Sequence, residues 1–376
     1  MRALLLAGGQ ATRLRPLTLT IPKAMAPVLG RPFLEHLIAW LCRHDVRDIT
    51  LLLGYLADPI RAHFGDGHAF GVRLTYAVED VPLGSGGAIK QLERELTEPF
   101  FALNADIYTD LDLTAMATAH QAAGAEVTIA LVRVPDPSAY GVVALDADGW
   151  ITRFVEKPRR EEAPSNLVNA GAWLFEPTAV RRIAAGRFSM VEQELFPELA
   201  QARRLLGYQT DSYWVDAGTP QRYLQLHRDL LTGKAVSPLA IVERPGWPGF
   251  TVQTAPGVPG PDGPPPVVAS GGRLEGAVVL GAGVRIGSGA AVHGPASLGA
   301  GVVLQDGARV ADSVLWDRCR VGARATVTGS VLADGCVVGA GAEVTGCVLG
   351  AGVHVASGVR LHGAVVDPDT TVDASA

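Results

Sequence analysis

The sequence predicts an α/β domain with a doubly wound, mixed and mainly parallel sheet, followed by a parallel β-helix. Short apolar runs alternate with helical patterns up to residue 232, and a six-residue apolar repeat fills the end of the chain. Between these parts Gly and Pro accumulate, ending in GPDGPPP (260–266), which cannot continue a helix or a central strand. With 376 residues, the chain can bury two cores. We therefore predict domains at residues 1–232 and 267–376, joined by a linker at residues 233–266.

The α/β prediction depends on apolar runs of strand length and on one longer helical pattern. Strand patterns are ALLLA (3–7), ITLLLG (49–54), FFALNAD (100–106) and VTIALVRV (127–134), and the helical pattern is FLEHLIAWLCRHD (33–45). Sheets of this kind bind ligands at the carboxyl ends of their strands. Functional residues are therefore expected directly after these runs.

The β-helix prediction depends on the spacing of aliphatic residues. They recur every six residues at Leu280, Ile286, Val292, Leu298, Leu304 and Val310, and every 17 residues at Leu315, Leu332, Leu349 and Val366. Three short strands per coil, with small residues at the corners, bury one aliphatic column. Cys319 and Cys336 are 17 residues apart, so we expect them to stack in adjacent coils as packing residues.

Composition and charge exclude several classes of function. The net charge of −6 argues against nucleic acid or an acidic membrane as a partner, because both require clustered Lys and Arg. The four cysteines form no CxxC pair, so we expect free thiols in a reducing, cytoplasmic compartment. The opening apolar run is too short for a signal peptide or a membrane span.

The string LLLAGGQATRLRPLTLTIPKAM (4–25) predicts a phosphate site. A strand leads into a Gly-rich loop whose backbone N–H groups can approach a triphosphate, and Arg13 and Lys23 can neutralise its oxygens. The string resembles the signature of the sugar-1-phosphate nucleotidyltransferase family. One position departs from that signature, because Ala11 stands where the family usually has glycine.

The resemblance implies a Rossmann-like nucleotidyltransferase fold for the first domain. The coils in turn resemble the hexapeptide repeats of left-handed β-helices, which supplies the hand of the second domain. The implied contacts with a nucleoside triphosphate are Ala7, Gly8, Gly9, Thr12, Arg13 and Lys23.

Three further segments match the same family: RFVEKP (153–158), YGVV (140–143) and NAG (169–171). The resemblance implies that Lys157 holds the sugar phosphate and that Gly141, Glu156 and Asn169 contact the sugar. Lysine is scarce, at four among 32 basic residues. A compact ammonium is not interchangeable with a guanidinium beside a reacting phosphate, which gives a physical reason for lysine here.

Two carboxylates end apolar runs, Asp106 in FFALNAD and Asp216 in YWVDAGTP (213–220). An acid in this position is often a helix cap. Because both lie in segments that match the family, they are the expected ligands of Mg2+, which needs few protein carboxylates. Catalysis by Arg13, Lys23, Asp106, Lys157 and Asp216 would then consist of positioning and charge.

The segment YAVEDVPLGSGGAI (76–89) resembles the family's base-reading segment, with Glu79 five residues before Gly84. Guanine presents two N–H donors that a carboxylate can meet together, whereas uracil and thymine present one. The carboxylate therefore favours GTP. The resemblance of RFVEKP, NAG and the appended β-helix implies mannose 1-phosphate as the sugar, and parts of the stretch from Pro27 to Gln91 are similar to enzymes that use a heptose 1-phosphate.

Other functions stay open at this point. One is a thymidylyl- or uridylyltransferase acting on glucose 1-phosphate, and another is a non-catalytic regulatory subunit that binds a nucleotide sugar. A third is an acyltransferase built on the β-helix, with His293, His354 or His362 as its base, although the repeats show no projecting loop. The β-helix is expected to support a homo-oligomer.

Overall fold

The structure, a computed structural model, describes residues 1–9, 11–54, 56–79, 81–243, 248, 250–252 and 263–373. The chain forms two compact units. The first comprises Met1–Gly9 and Trp40–Trp214, and the second comprises Gln10–Ala39 and Val215–Ala376. Within the described ranges, no helix has the length and apolar character needed to cross a membrane.

The first thirteen strands are short and separated by helices or turns. They are β1 (Arg2–Ala7), β2 (Pro27–Val28), β3 (Arg31–Pro32), β4 (Asp48–Leu53), β5 (Arg73–Val78), β6 (Phe100–Asn104), β7 (Ile107–Thr109), β8 (Val127–Arg133), β9 (Gly141–Leu145), β10 (Ile151–Glu156), β11 (Leu167–Phe175), β12 (Leu205–Gln209) and β13 (Trp214–Asp216). The helices are α1 (Phe33–Arg43), α2 (Ala57–Phe64), α3 (Gly84–Lys90), α4 (Leu113–Ala123), α5 (Pro177–Val180), α6 (Leu195–Gln201) and α7 (Pro220–Leu231). Short 3-10 helices lie at Thr12–Leu14, Lys23–Met25, His68–Phe70 and Arg160–Glu162.

A nine-stranded mixed sheet forms the framework of the first unit. Its main path is β10-β9-β11-β6-β1-β4-β5, and β8 pairs with β11 and β12. The centre is parallel, since β1 pairs with β4 and β6 and β4 pairs with β5, whereas β11 is antiparallel to β6, β8 and β9. Its strands carry nearly continuous apolar runs, and the core includes the stacked rings of Phe100 and Phe175. The predicted sheet is confirmed.

The strands of the second half of the chain are two or three residues long. They are β14 (Ile241–Glu243), β15 (Phe250–Val252), β16 (Val267–Val268), β17 (Arg273–Glu275), β18 (Val278–Leu280), β19 (Arg285–Ile286), β20 (Ala291–His293), β21 (Ala296–Leu298), β22 (Val303–Leu304), β23 (Arg309–Ala311), β24 (Val314–Leu315), β25 (Arg320–Val321), β26 (Thr326–Thr328), β27 (Val331–Leu332), β28 (Val337–Val338), β29 (Glu343–Thr345), β30 (Val348–Leu349), β31 (His354–Val355), β32 (Arg360–His362), β33 (Val365–Val366) and β34 (Thr371–Val372).

These strands form three ladders, one for each side of a left-handed parallel β-helix, as predicted. The register places Leu298, Leu315, Leu332 and Leu349 one above the other, and this column is buried. Cys319 and Cys336 lie in adjacent coils, free and fully buried. Strands β14 and β15 fall within the stretch predicted as the linker, and its residues 244–247, 249 and 253–262 lie outside the described residues. The domain boundaries stay a prediction.

One recurring corner of the coils has a left-handed backbone in successive coils. At the corner after β26, β29 and β32, Gly329, Gly346 and Gly363 have φ values of 58°, 63° and 61°. Asp312 occupies the equivalent corner after β23, with φ 49°. Glycine adopts this conformation without steric cost, so Asp312 departs from the rule of its own repeat.

Candidate functional site

In the second unit, Asp216 lies where β13 ends and α7 is about to begin. Thr219 caps α7 by accepting from the Arg222 N–H at 3.3 Å, and Pro220 takes the first helical position. A Cβ on Gly218 would lie 2.6 Å from Asp216 Oδ1 and 2.9 Å from Arg13 Nη2, so a larger residue there would displace this pair. The sequence thus forms a tight turn that presses the backbone against the carboxylate.

Three cationic side chains lie around Asp216, which is only 5% exposed. Arg13 Nη2 and Arg222 Nη1 lie 3.3 and 3.2 Å from Oδ2, and Lys23 Nζ lies 3.9 Å from Oδ1. Within the described residues Oδ1 accepts no hydrogen bond. A buried carboxylate oxygen in this state is available to a further ligand.

The loop that carries Arg13 is held by its own backbone. Thr12 opens a 3-10 helix, and the preceding Ala11 has the left-handed dihedral angles φ 47° and ψ 40°. The Thr18 hydroxyl donates to the Ala11 carbonyl at 2.9 Å. The position that departs from the family signature is therefore one where glycine would fit without strain.

In the first unit, β1 ends at Ala7 and is followed by Gly8 and Gly9. Gly8 packs against Gly54, where a Cβ would lie 2.7 Å from the Gly8 carbonyl oxygen. A Cβ on Gly8 would lie 3.8 Å from Glu79 Oε2, so the predicted base-reading carboxylate is adjacent to the glycine loop. Burial raises the pKa of Glu79, and the Leu83 N–H, donating to Oε2 at 3.1 Å, partly offsets this.

The predicted sugar-phosphate residues are grouped where β9 and β10 meet. A Cβ on Gly141 would lie 2.5 Å from a ring carbon of Phe154 and 2.9 Å from Glu156 Oε2, so a larger residue there would displace these side chains. Lys157 Nζ lies 3.2 Å from Glu156 Oε1, and the lysine side chain is 66% exposed. Its backbone is left-handed, with φ 46°, and its N–H donates to the Tyr140 carbonyl at 3.0 Å. A strained backbone thus presents a solvent-facing ammonium.

Asn169 and Asp106 lie on neighbouring segments of the same unit. Asn169 Oδ1 accepts from the Gly171 N–H at 2.9 Å and from Trp173 Nε1 at 2.8 Å, so this oxygen supports the local fold and the amide nitrogen is left as the group for a ligand. Gly171 packs against Asn104, at the end of β6. Asp106 lies in the turn between β6 and β7 and is half-buried.

Gly84 begins α3, where a Cβ would lie 2.5 Å from the Ser189 carbonyl oxygen. The next residue, Ser85, donates its hydroxyl to Glu192 Oε2 at 2.6 Å. Burial raises the pKa of Glu192, and the nearby charge of Glu156 raises it further while that of Lys157 lowers it. Glu192 therefore links the Gly84 segment to the predicted sugar-phosphate residues.

Sequence reasoning did not find Glu192 or Arg222. Glu192 lies outside all the matched motifs, and it gave no signal in the sequence. Arg222 had one: the string DAGTP ends in a helix cap and an N1 proline, so a residue in the first turn can point back to Asp216.

Among the residues that the structure describes, no group of three or more His, Cys, Asp or Glu side chains is arranged to hold a metal ion alone. Mg2+ is typically held by one or two carboxylates, water and substrate phosphates.

Comparison with known proteins identifies the family of the chain. Residues 2–233, well over half of the chain, match the family described as Nucleotidyl transferase. This chain belongs to that family. Residues 274–376 match a second family, described as GMPPB C-terminal domain, and cover most of the β-helix.

Two relatives of this nucleotidyl transferase are the mannose-1-phosphate guanylyltransferase of Mycobacterium tuberculosis, 39% identical over 239 residues, and the mannose-1-phosphate guanylyltransferase catalytic subunit beta of Danio rerio, 38% identical over 229 residues. The alignments cover 63% and 60% of this chain, and they span 66% and 63% of the relatives' lengths. Among solved structures, HddC from Yersinia pseudotuberculosis has a TM-score of 0.53 and 28% identity, over 60% of this chain and 97% of that one. A second HddC structure, with TM-score 0.51, is complexed with GMP-PN.

Proposed function

We propose that this nucleotidyl transferase joins GTP to mannose 1-phosphate, forming GDP-mannose and pyrophosphate with the help of Mg2+. The observation that carries the proposal is the Asp216 cluster, in which a buried carboxylate meets three cations and one of its oxygens accepts no hydrogen bond from the part of the chain that the structure describes. Such a group can hold a metal ion and a triphosphate together.

The residues present fit a magnesium ion. Asp216 Oδ1 is buried and accepts no hydrogen bond from any described residue, which is the state expected of a carboxylate oxygen awaiting a metal. Asp106, in the first unit, is the other carboxylate that the sequence predicts as a ligand. When bound, Mg2+ would neutralise negative charge on the reacting phosphates.

The chain's own residues supply position and charge. An ionised oxygen of the sugar phosphate attacks the α-phosphorus of GTP and forms the new O–P bond, while the bond from the α-phosphorus to the bridging oxygen breaks and its electron pair leaves on pyrophosphate. No general base is needed, because the nucleophile is already ionised at neutral pH. Lys157 aims the sugar phosphate, and Arg13 and Lys23 stabilise the departing pyrophosphate.

Two observations support GTP and mannose 1-phosphate as the substrates. Glu79 offers a partly buried carboxylate beside Gly8, and two N–H donors of guanine can both bind to it. Relatives at 38–39% identity are named mannose-1-phosphate guanylyltransferase, and a similar solved protein binds GMP-PN. Self-association through the β-helix and a cytoplasmic location stay predictions.

The test is pyrophosphate release from each of GTP, dTTP, UTP and ATP, paired in turn with mannose, glucose and heptose 1-phosphates. We expect GTP with mannose 1-phosphate to give the highest kcat/KM. Glu79→Gln should raise the KM for GTP about tenfold or more, because an amide accepts one of the two N–H groups and opposes the other.

The KM for GTP of the unmodified protein should also rise as the pH falls through the raised pKa of Glu79, because the protonated acid no longer accepts two donors. This rise should be absent in Glu79→Gln. Faster turnover of dTTP or UTP with glucose 1-phosphate would contradict the proposed substrates, and no release with any pair would favour the regulatory alternative.

A further inference from the structure

One coil of the β-helix departs from its own repeat at several corners, and two of these departures, Trp316 and Asp312, contact α7. At the corner that follows β21, β27 and β30, the neighbouring coils have Gly299, Ala333 and Gly350. The coil that contains β24 and β25 has Trp316 at this corner. The same coil carries Asp312 at a left-handed corner that is otherwise glycine. A buried column of aliphatic residues requires neither substitution.

Both departures contact α7. Trp316 Nε1 donates to the Tyr223 hydroxyl at 3.0 Å, and both side chains are almost fully buried. Arg228 Nε and Nη2 donate to the two oxygens of Asp312 at 2.6 and 2.5 Å, which is a bidentate pair. The two odd corners are therefore explained by one neighbouring helix.

Helix α7 in turn contacts the Asp216 cluster and the segment after Lys23. Arg222, in its first turn, pairs with Asp216. The Tyr223 hydroxyl donates to the carbonyl of Pro27. Pro27 follows the 3-10 helix Lys23–Met25, in which the Ala26 N–H donates back to the Lys23 carbonyl at 3.0 Å. Two hydrogen bonds thus connect Trp316 to Pro27, and the neighbouring Ala26 is hydrogen-bonded to the backbone of Lys23.

We propose that the Trp316 coil of the β-helix positions Lys23 and Asp216 through Tyr223 and Arg228 of α7. Trp316 and Asp312 are positioning residues that touch no substrate. The second unit contains both residues 10–39 and the β-helix, so all the residues of this proposal lie within one compact unit. The catalytic meaning of this support rests on the proposed function, but the support itself is a property of the folded chain.

The direct test is the rate at which an amine-reactive reagent modifies each of the four lysines, measured by mass spectrometry on the full chain. Lys23 has a side chain 11% exposed, and Lys90, in the first unit, is 10% exposed and serves as the internal standard. Trp316→Ala and Asp312→Gly restore the residues of neighbouring coils, and Tyr223→Phe removes one oxygen. In each variant we expect the reagent to modify Lys23 about tenfold faster than in the unmodified protein, and we expect the modification rate of Lys90 to stay the same.

The matched control is Arg318→Gly. Arg318 also occupies a left-handed corner of this coil, with φ 59°, where the neighbouring coils have Gly301 and Gly335. It pairs with Asp334 of the β-helix at 3.7 Å. This variant should leave the modification rates of Lys23 and Lys90 unchanged. Since Tyr223→Phe is the mildest change, it keeps the test open if Trp316→Ala fails to fold.

Steady-state kinetics on the same variants separate this inference from the proposed function. If both are correct, the KM for GTP rises about tenfold and the KM for mannose 1-phosphate changes less than twofold, because Lys157 belongs to the other unit. Faster modification of Lys23 with an unchanged KM for GTP supports the positioning and contradicts the role given to Lys23. Unchanged modification of Lys23 in Tyr223→Phe overturns the inference.

Discussion

Ala11 has left-handed backbone angles that an alanine adopts at a cost of about 1–2 kcal/mol. Its carbonyl accepts from the Thr18 hydroxyl and from the Leu14 N–H, and these contacts hold the loop in this conformation. The departure from the family signature thus weakens the loop by strain rather than by the loss of a ligand-binding group. The sequence indicated the position, but the sign of φ came only from the structure.

Ala11→Gly should stabilise the protein by about 0.5–1 kcal/mol, since the relieved strain exceeds the extra freedom of glycine in the unfolded chain. Chemical denaturation checks this. The matched control is Ala119→Gly in the middle of α4, which should destabilise by about 1 kcal/mol. Equal destabilisation by both changes would show that Ala11 is not left-handed.

The spacing of apolar residues along the sequence predicted the strands and the coils of the β-helix well, because this spacing indicates which side chains are buried. It could not predict which coil faces α7. Trp316 and Asp312 are visible as irregularities in the repeat, but their partners Tyr223 and Arg228 lie more than 80 residues away. Lys157 illustrates the same limit, because its motif was recognised and its left-handed backbone was not.

Helices α1 and α7 each bury a histidine in the second unit. Burial lowers the pKa of His36 to about 4. Burial and, to a smaller extent, the charge of His36 together lower the pKa of His227 to about 3. Below about pH 6.5 these two histidines are therefore protonated in the unfolded chain but stay neutral in the folded chain. Stability should fall as the pH falls from about 6.5 towards 4, by up to about 1.4 kcal/mol per pH unit for each histidine.

His227→Phe keeps a ring beside Tyr223 and removes one of these two contributions. The free energy of unfolding, measured between pH 7 and pH 4.5, should lose roughly half of this slope relative to the unmodified protein. His354→Gln, at an exposed position of β31, is the control and should change nothing. A slope that His227→Phe leaves intact would show that the acid sensitivity comes from other groups.

For the whole molecule, the fold class was predictable and membership of the nucleotidyl transferase family is shown. The grouping of residues 10–39 with the chain after Val215 was not predictable, because it depends on contacts about 200 residues apart, such as Arg13 with Asp216. A local pattern records burial and turn chemistry, whereas such pairings are decided by tertiary packing. Glu192 was missed for this reason, because its partner Ser85 lies 107 residues away.

We propose that the Asp216 cluster serves guanylyl transfer. The most direct measurement follows a label on the α-phosphorus of GTP through one turnover with mannose 1-phosphate and Mg2+. We expect the label to appear in GDP-mannose with one pyrophosphate per product, and we expect Asp216→Asn to lower the rate at least about 100-fold while GTP still binds. GTP that binds normally but never transfers its label to any sugar phosphate would contradict it.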